Sequence, residues 1–314
     1  MIRRVLIPLD GSELAEQVIP HLLRFITPDQ TELLLMTALP SSPRPQIEAT
    51  ANFTTPEAAV TKDHKVREQL HGITQELGQI GFNVMERLLS GAPAESILRL
   101  AEETFVDLIA MSTHGRTGLR RALLGSVADE IVCNARPPVF LAPAAITTQP
   151  DSAPRSILLP LDGTFLAEAA IPVAQQFAQN TGATLSLIHI IKPNHPGHGQ
   201  QHDPESVAEQ SSTQQTTSYL ERIQLQLQLA NVPSHYQIAS GDPAEAIIRT
   251  MHTENSDLVV MSTHGRSGVE RIIHGSVASQ IIGNTPCPLL LIRGTVPVEV
   301  YEPGSNKLST VSLC

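Results

Sequence analysis

The sequence predicts two tandem α/β domains, each a doubly wound parallel sheet of five strands, and three observations carry that prediction. At 314 residues the chain has the length of two ordinary domains, each able to bury its own core. It also repeats itself. Val5-Leu6-Ile7-Pro8-Leu9-Asp10-Gly11-Ser12 is answered by Ile157-Leu158-Leu159-Pro160-Leu161-Asp162-Gly163-Thr164 at an offset of 152 residues. Asp107-Leu108-Ile109-Ala110-Met111-Ser112-Thr113-His114-Gly115-Arg116 recurs as Asp257-Leu258-Val259-Val260-Met261-Ser262-Thr263-His264-Gly265-Arg266 at an offset of 150, which also relates Gly91 to Gly241 and Pro138 to Pro288. A period of that length is a whole domain, not a solenoid unit. Within each copy, short continuous apolar runs alternate with helical periodicity, the pattern of strands buried on both faces and joined by helices.

In the first copy the run 5–9 ends at Asp10-Gly11, which bounds a strand. Leu14, Val18, Leu22 and Ile26 then fall at helical steps, with Ser12 placed as the N-cap. Pro20, matched by Pro172, costs about 3 kcal/mol inside a helix, so a bend or break is expected there. Further strands are read at 33–38, 83–89, 108–112 and 139–142, with helices between them and a helix over 127–134 before the last strand. The second copy gives strands at 157–161, 184–190, 235–239, 258–262 and 289–292. The domains are expected at 1–143 and 155–294. Between them 144–154 reads as a linker rich in Pro, Ala, Thr and Ser, and 295–314 as a loosely held tail with Pro297, Pro303 and Gly304.

Composition excludes several classes. A formal charge of -10, from 21 Lys+Arg against 31 Asp+Glu, opposes binding to nucleic acid and to anionic membranes. No apolar run approaches the roughly 20 residues that span a bilayer, and the first apolar run meets Asp10 too early for a signal peptide, so a cytoplasmic location is expected. Cys133, Cys287 and Cys314 have no metal-ligand spacing, and no metal site is expected.

In a doubly wound sheet, ligands bind beyond the carboxyl ends of the strands where the strand order reverses. Two segments fall there. One is Pro8-Leu9-Asp10-Gly11-Ser12. The other begins at Ser112-Thr113-His114-Gly115 and, after nine further residues, reaches Gly125-Ser126 at the start of a helix. Gly115 permits close backbone approach or a positive φ, and the first amides of a helix opening at Ser126 and Val127 lack intrahelical partners and attract phosphate. Arg116 or Arg120 can reach distal phosphate oxygens. The second copy keeps the spacing from Ser262, His264 and Gly265 to Gly275, Ser276 and Val277. A plainer reading is that the glycines only let a strand-to-helix crossing turn tightly; the twinned Ser, His and Arg weigh against it.

These residues resemble the universal stress protein family, with its strand ending in a Val-Pro-Val-Asp-Gly-Ser-like stretch and its Gly-x-x-Gly-(nine)-Gly-Ser/Thr signature for ATP. The resemblance covers nearly the whole of both repeats. It implies a Rossmann-like sheet of the adenine nucleotide alpha hydrolase type, with ATP as ligand and Mg2+ as a possible companion. The implied nucleotide-binding residues of the first copy are Pro8, Asp10, Ala38, Met111, Ser112, His114, Gly115, Arg116, Gly125, Ser126 and Val127. Those of the second are Pro160, Asp162, Ile190, Met261, Ser262, His264, Gly265, Arg266, Gly275, Ser276 and Val277. Asp10 and Asp162 match a residue at the adenine, and Ala38 and Ile190 an apolar position beside the base. The first glycine of the signature is Ser112 in one copy and Ser262 in the other, where a strained φ would be harder to hold. The turns Gly91-Ala92-Pro93 and Gly241-Asp242-Pro243 are assigned to structure.

The resemblance further implies that the edge strands 139–142 and 289–292 pair the two domains as a pseudo-dimer within one chain; a homo-oligomer through another surface stays open. No catalytic residue is assigned. The expected function is nucleotide-dependent sensing or regulation in a stress response, with a nucleotide-free interaction module and slow ATP hydrolysis assisted by His114 and His264 as alternatives. His195-Pro196-Gly197-His198 fits the His-x-Gly-His of nucleotidylyl transferases formally, but it follows the second strand, lacks a twin and reads as a solvated loop.

Overall fold

The computed structural model describes residues 2–39, 56–113, 124–143, 153–191, 207–264, 276–294, 297–301 and 308–312. It comprises two compact units, Met1–Ala144 and Ala145–Cys314. The first runs β1 (Arg4–Pro8), α1 (Glu13–Glu16), α2 (Val18–Leu22), β2 (Glu32–Leu39), α3 (Pro56–Gln79), β3 (Asn83–Ser90), α4 (Pro93–Glu103), β4 (Leu108–Ser112), α5 (Ser126–Asn134) and β5 (Val139–Ala142). Its strands lie in the order β3-β2-β1-β4-β5, and the neighbours pair in parallel. The order reverses between β1 and β4, where the chain leaves to opposite sides and a crevice opens at the carboxyl ends.

The second unit repeats the plan with β6 (Ser156–Pro160), α6 (Phe165–Glu168), α7 (Ile171–Thr181), β7 (Thr184–Ile191), α8 (Val207–Leu229), β8 (Ser234–Ser240), α9 (Pro243–Thr253), β9 (Leu258–His264), α10 (Ser276–Asn284) and β10 (Leu289–Gly294). Its order is β8-β7-β6-β9-β10, again parallel. Two further strands, β11 (Pro297–Tyr301) and β12 (Leu308–Ser312), pair antiparallel. They are an addition to the sequence reading, which took this stretch for a tail.

The sheet cores follow from the apolar runs. Val5, Leu6 and Ile7 of β1, Leu33, Leu34 and Leu35 of β2, and Leu108, Ile109 and Ala110 of β4 are fully buried, and each large side chain contributes roughly 1.5–3 kcal/mol by leaving water. Across the sheet face, α4 presents Ala94, Ile97, Leu100 and Ala101, a stripe at helical spacing, while its Arg99, Glu102 and Glu103 stay in solvent.

The break expected near the prolines is present. In the first unit the helix is interrupted at Gln17 and restarts as α2, with Pro20 at its third residue; in the second, Pro172 occupies the first turn of α7, where its missing amide costs nothing. At the opposite end of the sheet a carboxylate staples each crossing. Asp107, just before β4, accepts from the amides of Arg3 and Arg4 at 2.8 and 2.9 Å, and Asp257 accepts from Arg155 and Ser156 at 2.7 and 3.2 Å.

Candidate functional site

Three chain segments converge at the crevice of the first unit. After β1, the Leu9 amide donates to the Met36 carbonyl at 2.7 Å and keeps the chain beside β2 for one more residue. Gly11 then takes a φ of 75°, a left-handed conformation that glycine adopts without penalty. This turn lets the Asp10 Oδ1 accept from both the Ser12 amide at 3.0 Å and the Ser12 hydroxyl at 2.5 Å, while Ser12 Oγ accepts from the Ala15 amide at 3.2 Å as the N-cap of α1. The aspartate is thereby fixed by a relay running into a helix cap. The second unit builds the same relay from Asp162, Gly163 at φ 80°, and Thr164, with bonds of 2.9, 2.6 and 3.2 Å. Sequence reading assigned the aspartates to the ligand alone; their role in the turn is visible only in the geometry. Beside the second relay, burial holds His189 below the ordinary imidazole range, against the opposing pull of a backbone hydrogen bond at Leu161 and of the Asp162 carboxylate.

The second segment leaves β4. The Thr113 amide donates to Ala142 at 2.9 Å, and the Gly125 amide returns to the Thr113 carbonyl at 3.0 Å, bringing both ends of the intervening loop together. Gly125 is the N-cap of α5 and offers no side-chain cap; the first backbone bond to it comes from Asp129, at 2.9 Å. The amides of Ser126, Val127 and Ala128 therefore open the helix at its positive end. The third segment is the turn into α4, anchored by the Gly91 amide on the Leu39 carbonyl at 3.1 Å.

Together they enclose a cavity of about 270 Å³, lined by Pro8, Leu9, Asp10, Ala15, Met36, Ala38, Pro93, Ile97, Met111, Ser112, Thr113, Gly125, Ser126, Val127 and Ala128. Its wall is mainly apolar, with polar groups at the Asp10 turn and at the start of α5. Ser112 is extended within β4 and paired with Ala142, so replacing the signature glycine by serine strains nothing here. Its side chain brings a consequence instead: at 8% exposure, the Ser112 hydroxyl is buried with no hydrogen-bond partner among the described residues. A buried orphan hydroxyl costs about 1–3 kcal/mol, which a ligand oxygen would recover.

Eight of the eleven residues expected in the first unit, namely Pro8, Asp10, Ala38, Met111, Ser112, Gly125, Ser126 and Val127, line this one cavity. His114, Gly115 and Arg116 lie outside the described residues, as does the His195–His198 motif. Leu9, Ala15, Met36, Pro93, Ile97, Thr113 and Ala128 were missed. The sequence assigns Pro93 to the turn alone, yet its recurrence as Pro243, and that of Ile97 as Ile247, is a readable signal. In the second unit Pro160 ends β6, Ile190 follows Ile188 by two residues on β7, Met261 and Ser262 lie on β9, and Ser276 and Val277 open α10. His264 closes β9, whereas Gly265, Arg266 and Gly275 lie outside the described residues. Among the described residues no group of three or more His, Cys, Asp or Glu could hold a metal ion, and no helix is long and apolar enough to cross a membrane.

A parallel doubly wound sheet whose strand order reverses beside its first strand defines a Rossmann-like α/β fold, present here twice in tandem, with a lined crevice at the reversal point of the first unit. The chain belongs to the universal stress protein family, whose model matches residues 1–143 and again 154–293. Universal stress protein MJ0577 of Methanocaldococcus jannaschii is 29% identical over 153 residues, which cover 45% of this chain and 94% of that protein. Universal stress protein Rv2005c of Mycobacterium tuberculosis is 25% identical over 215 residues, 68% of this chain and 70% of its own. Among solved structures, a universal stress protein from Archaeoglobus fulgidus superposes with a TM-score of 0.67 at 19% identity, over 92% of this chain and 98% of that one, a likeness of fold.

Proposed function

We propose that the chain is a nucleotide-responsive member of this family, each unit offering a pocket for an adenine nucleotide, ATP foremost, whose occupancy regulates the protein in a stress response. The observation that carries the reading is the first-unit cavity, where an apolar slot ends on an uncapped helix N-terminus and on the orphan Ser112 hydroxyl. Met36, Ala38, Ile97 and Met111 suit the faces of a planar base, and the Asp10 turn borders the slot with a fixed carboxylate. At the other end, the amides of Ser126, Val127 and Ala128 suit phosphate oxygens. At about 270 Å³ the cavity lies near the lower bound of small-molecule sites, room for base and sugar with the phosphates leading out along α5. Magnesium, in this reading, arrives on the phosphates, because the described residues supply no cage for it.

The test places a charge where phosphate should sit. Ser126→Asp together with Ser276→Asp puts carboxylates in the first turns of α5 and α10, which favours both helices and repels phosphate. Titration calorimetry with ATP, ADP and AMP is expected to show loss of ATP affinity by at least about tenfold, equivalent to ~1.4 kcal/mol. Undiminished ATP binding in the double variant would place the pocket elsewhere. A wild-type protein that gains no melting temperature from millimolar ATP would instead be a nucleotide-free interaction module.

A further inference from the structure

The residues that line the first-unit cavity recur almost unchanged in the second unit, which makes the differences informative. Asp10, Ile97, Met111 and Ser112 recur as Asp162, Ile247, Met261 and Ser262. The changes fall on one strand: Met36 and Ala38 of β2 become Ile188 and Ile190 of β7. Residues two apart on a strand share a face, and Met36 and Ala38 both line the first-unit cavity.

The neighbouring strand changes in the opposite sense. Ala38 stands in register with Leu89 of β3, whereas Ile190 stands in register with Ala239 of β8. Large and small have exchanged places across a strand spacing of about 4.8 Å, so the sheet face keeps its volume while the bulk moves one strand nearer the crevice. Ile188 and Ile190 are also β-branched and stiff about χ1, where Met36 is unbranched and adaptable. Three added carbons at the Ala38 position are a large intrusion into a slot of about 270 Å³.

From this exchange we infer that the two units are unequal: the first holds the chain's high-affinity adenine nucleotide, and the second, its slot narrowed by Ile190, binds the same ligand much more weakly. The inference rests on the nucleotide reading above and deepens it. It assigns Ala38 and Ile190 as the residues that set affinity unit by unit.

Calorimetric titration of the full chain with ATP tests it. The wild type is expected to show one tight site per chain and a second at least about tenfold weaker. Ala38→Ile should weaken the tight class about tenfold, and Ile190→Ala with Ala239→Leu, which transplants the first unit's Ala38–Leu89 pair, should raise the weak class toward equality. Ser126→Asp alone should abolish the tight class and Ser276→Asp alone the weak one, which assigns each class to its unit. Two equal wild-type sites overturn the inference while leaving the nucleotide reading standing, as does a transplant, folded by circular dichroism, that leaves the weak class unmoved. Absence of binding in every one of these proteins overturns both.

Discussion

At the scale of single residues, the repeat provides its own controls. Phe105, at the end of α4, has a φ of 50° and is 85% exposed, while its counterpart Asn255 holds a φ of 48° after α9. Both close their helices with the same bonds, Val106 to Ala101 at 3.2 Å and Ser256 to Met251 at 3.0 Å, so the left-handed residue just past each C-cap is a position that Asn fills well and Phe poorly. Phe105→Asn should therefore stabilise the first unit by about 0.5–1 kcal/mol in urea melts, because no packed surface is lost. His21 is a different kind of misfit. It lies on α2 at 6% exposure, its Nδ1 lacks a partner among the described residues, and burial, aided by the positive Arg24, lowers its pKa to about 4. A folded value below the unfolded 6.5 means its neutral form is favoured on folding: the contribution is complete above pH 6.5 and disappears as pH falls toward 4. The loss is on the order of 3 kcal/mol at 1.36 kcal/mol per unit. His21→Leu should flatten that part of the acid limb when denaturant melts at pH 7 and pH 4.5 are compared, and an unchanged limb would mean that other groups govern acid stability.

At the scale of elements, α4 and α9 start alike and are capped differently. Ala92 and Asp242 share nearly the same backbone angles, -65° and 128° against -70° and 128°, but only Asp242 accepts from two amides, those of Ala244 and Glu245, each at 3.0 Å. Ala92→Asp should add about 1 kcal/mol to the first unit and Asp242→Ala should remove as much from the second, read as opposite shifts in thermal unfolding. This kind of symmetry explains how much of the fold was legible. The strands were readable because each is a continuous apolar run closed by Gly, Pro or Asp, and the α1–α2 break because a proline has one place in a helix. The Asp107 staple was not: its partners Arg3 and Arg4 lie more than 100 residues away, and nothing in a local window distinguishes it from any surface carboxylate. The pair β11–β12 escaped because Val298 and Val300 alternate too briefly, among prolines, to outweigh a tail-like composition. The crevice was half legible. Its polar ends carry turn and cap residues that signal themselves, while Met36 enters with β2, and Pro93 and Ile97 with α4, where recurrence in the second copy is their one signal in the sequence.

At the scale of the molecule, two electrostatic effects oppose one another. A chain with a net charge of -10 repels a polyanion at long range, whereas the positive end of α5, with no side-chain cap at Gly125, attracts one at contact. A divalent cation riding on the phosphates cancels part of the repelled charge without needing ligands from the protein, and the described residues offer no carboxylate or histidine cluster to hold it. Chelating magnesium should then weaken ATP binding by roughly 3- to 10-fold, since free ATP meets the whole protein field undiminished, and the effect should grow when salt is lowered and screening length rises. AMP, with less charge to cancel, should lose less than about twofold on the same treatment. Titration calorimetry of both nucleotides, with and without EDTA at two ionic strengths, separates the cases. Equal losses for ATP and AMP would mean that the protein itself binds the cation, and no loss for either would mean that the helix amides alone govern the affinity.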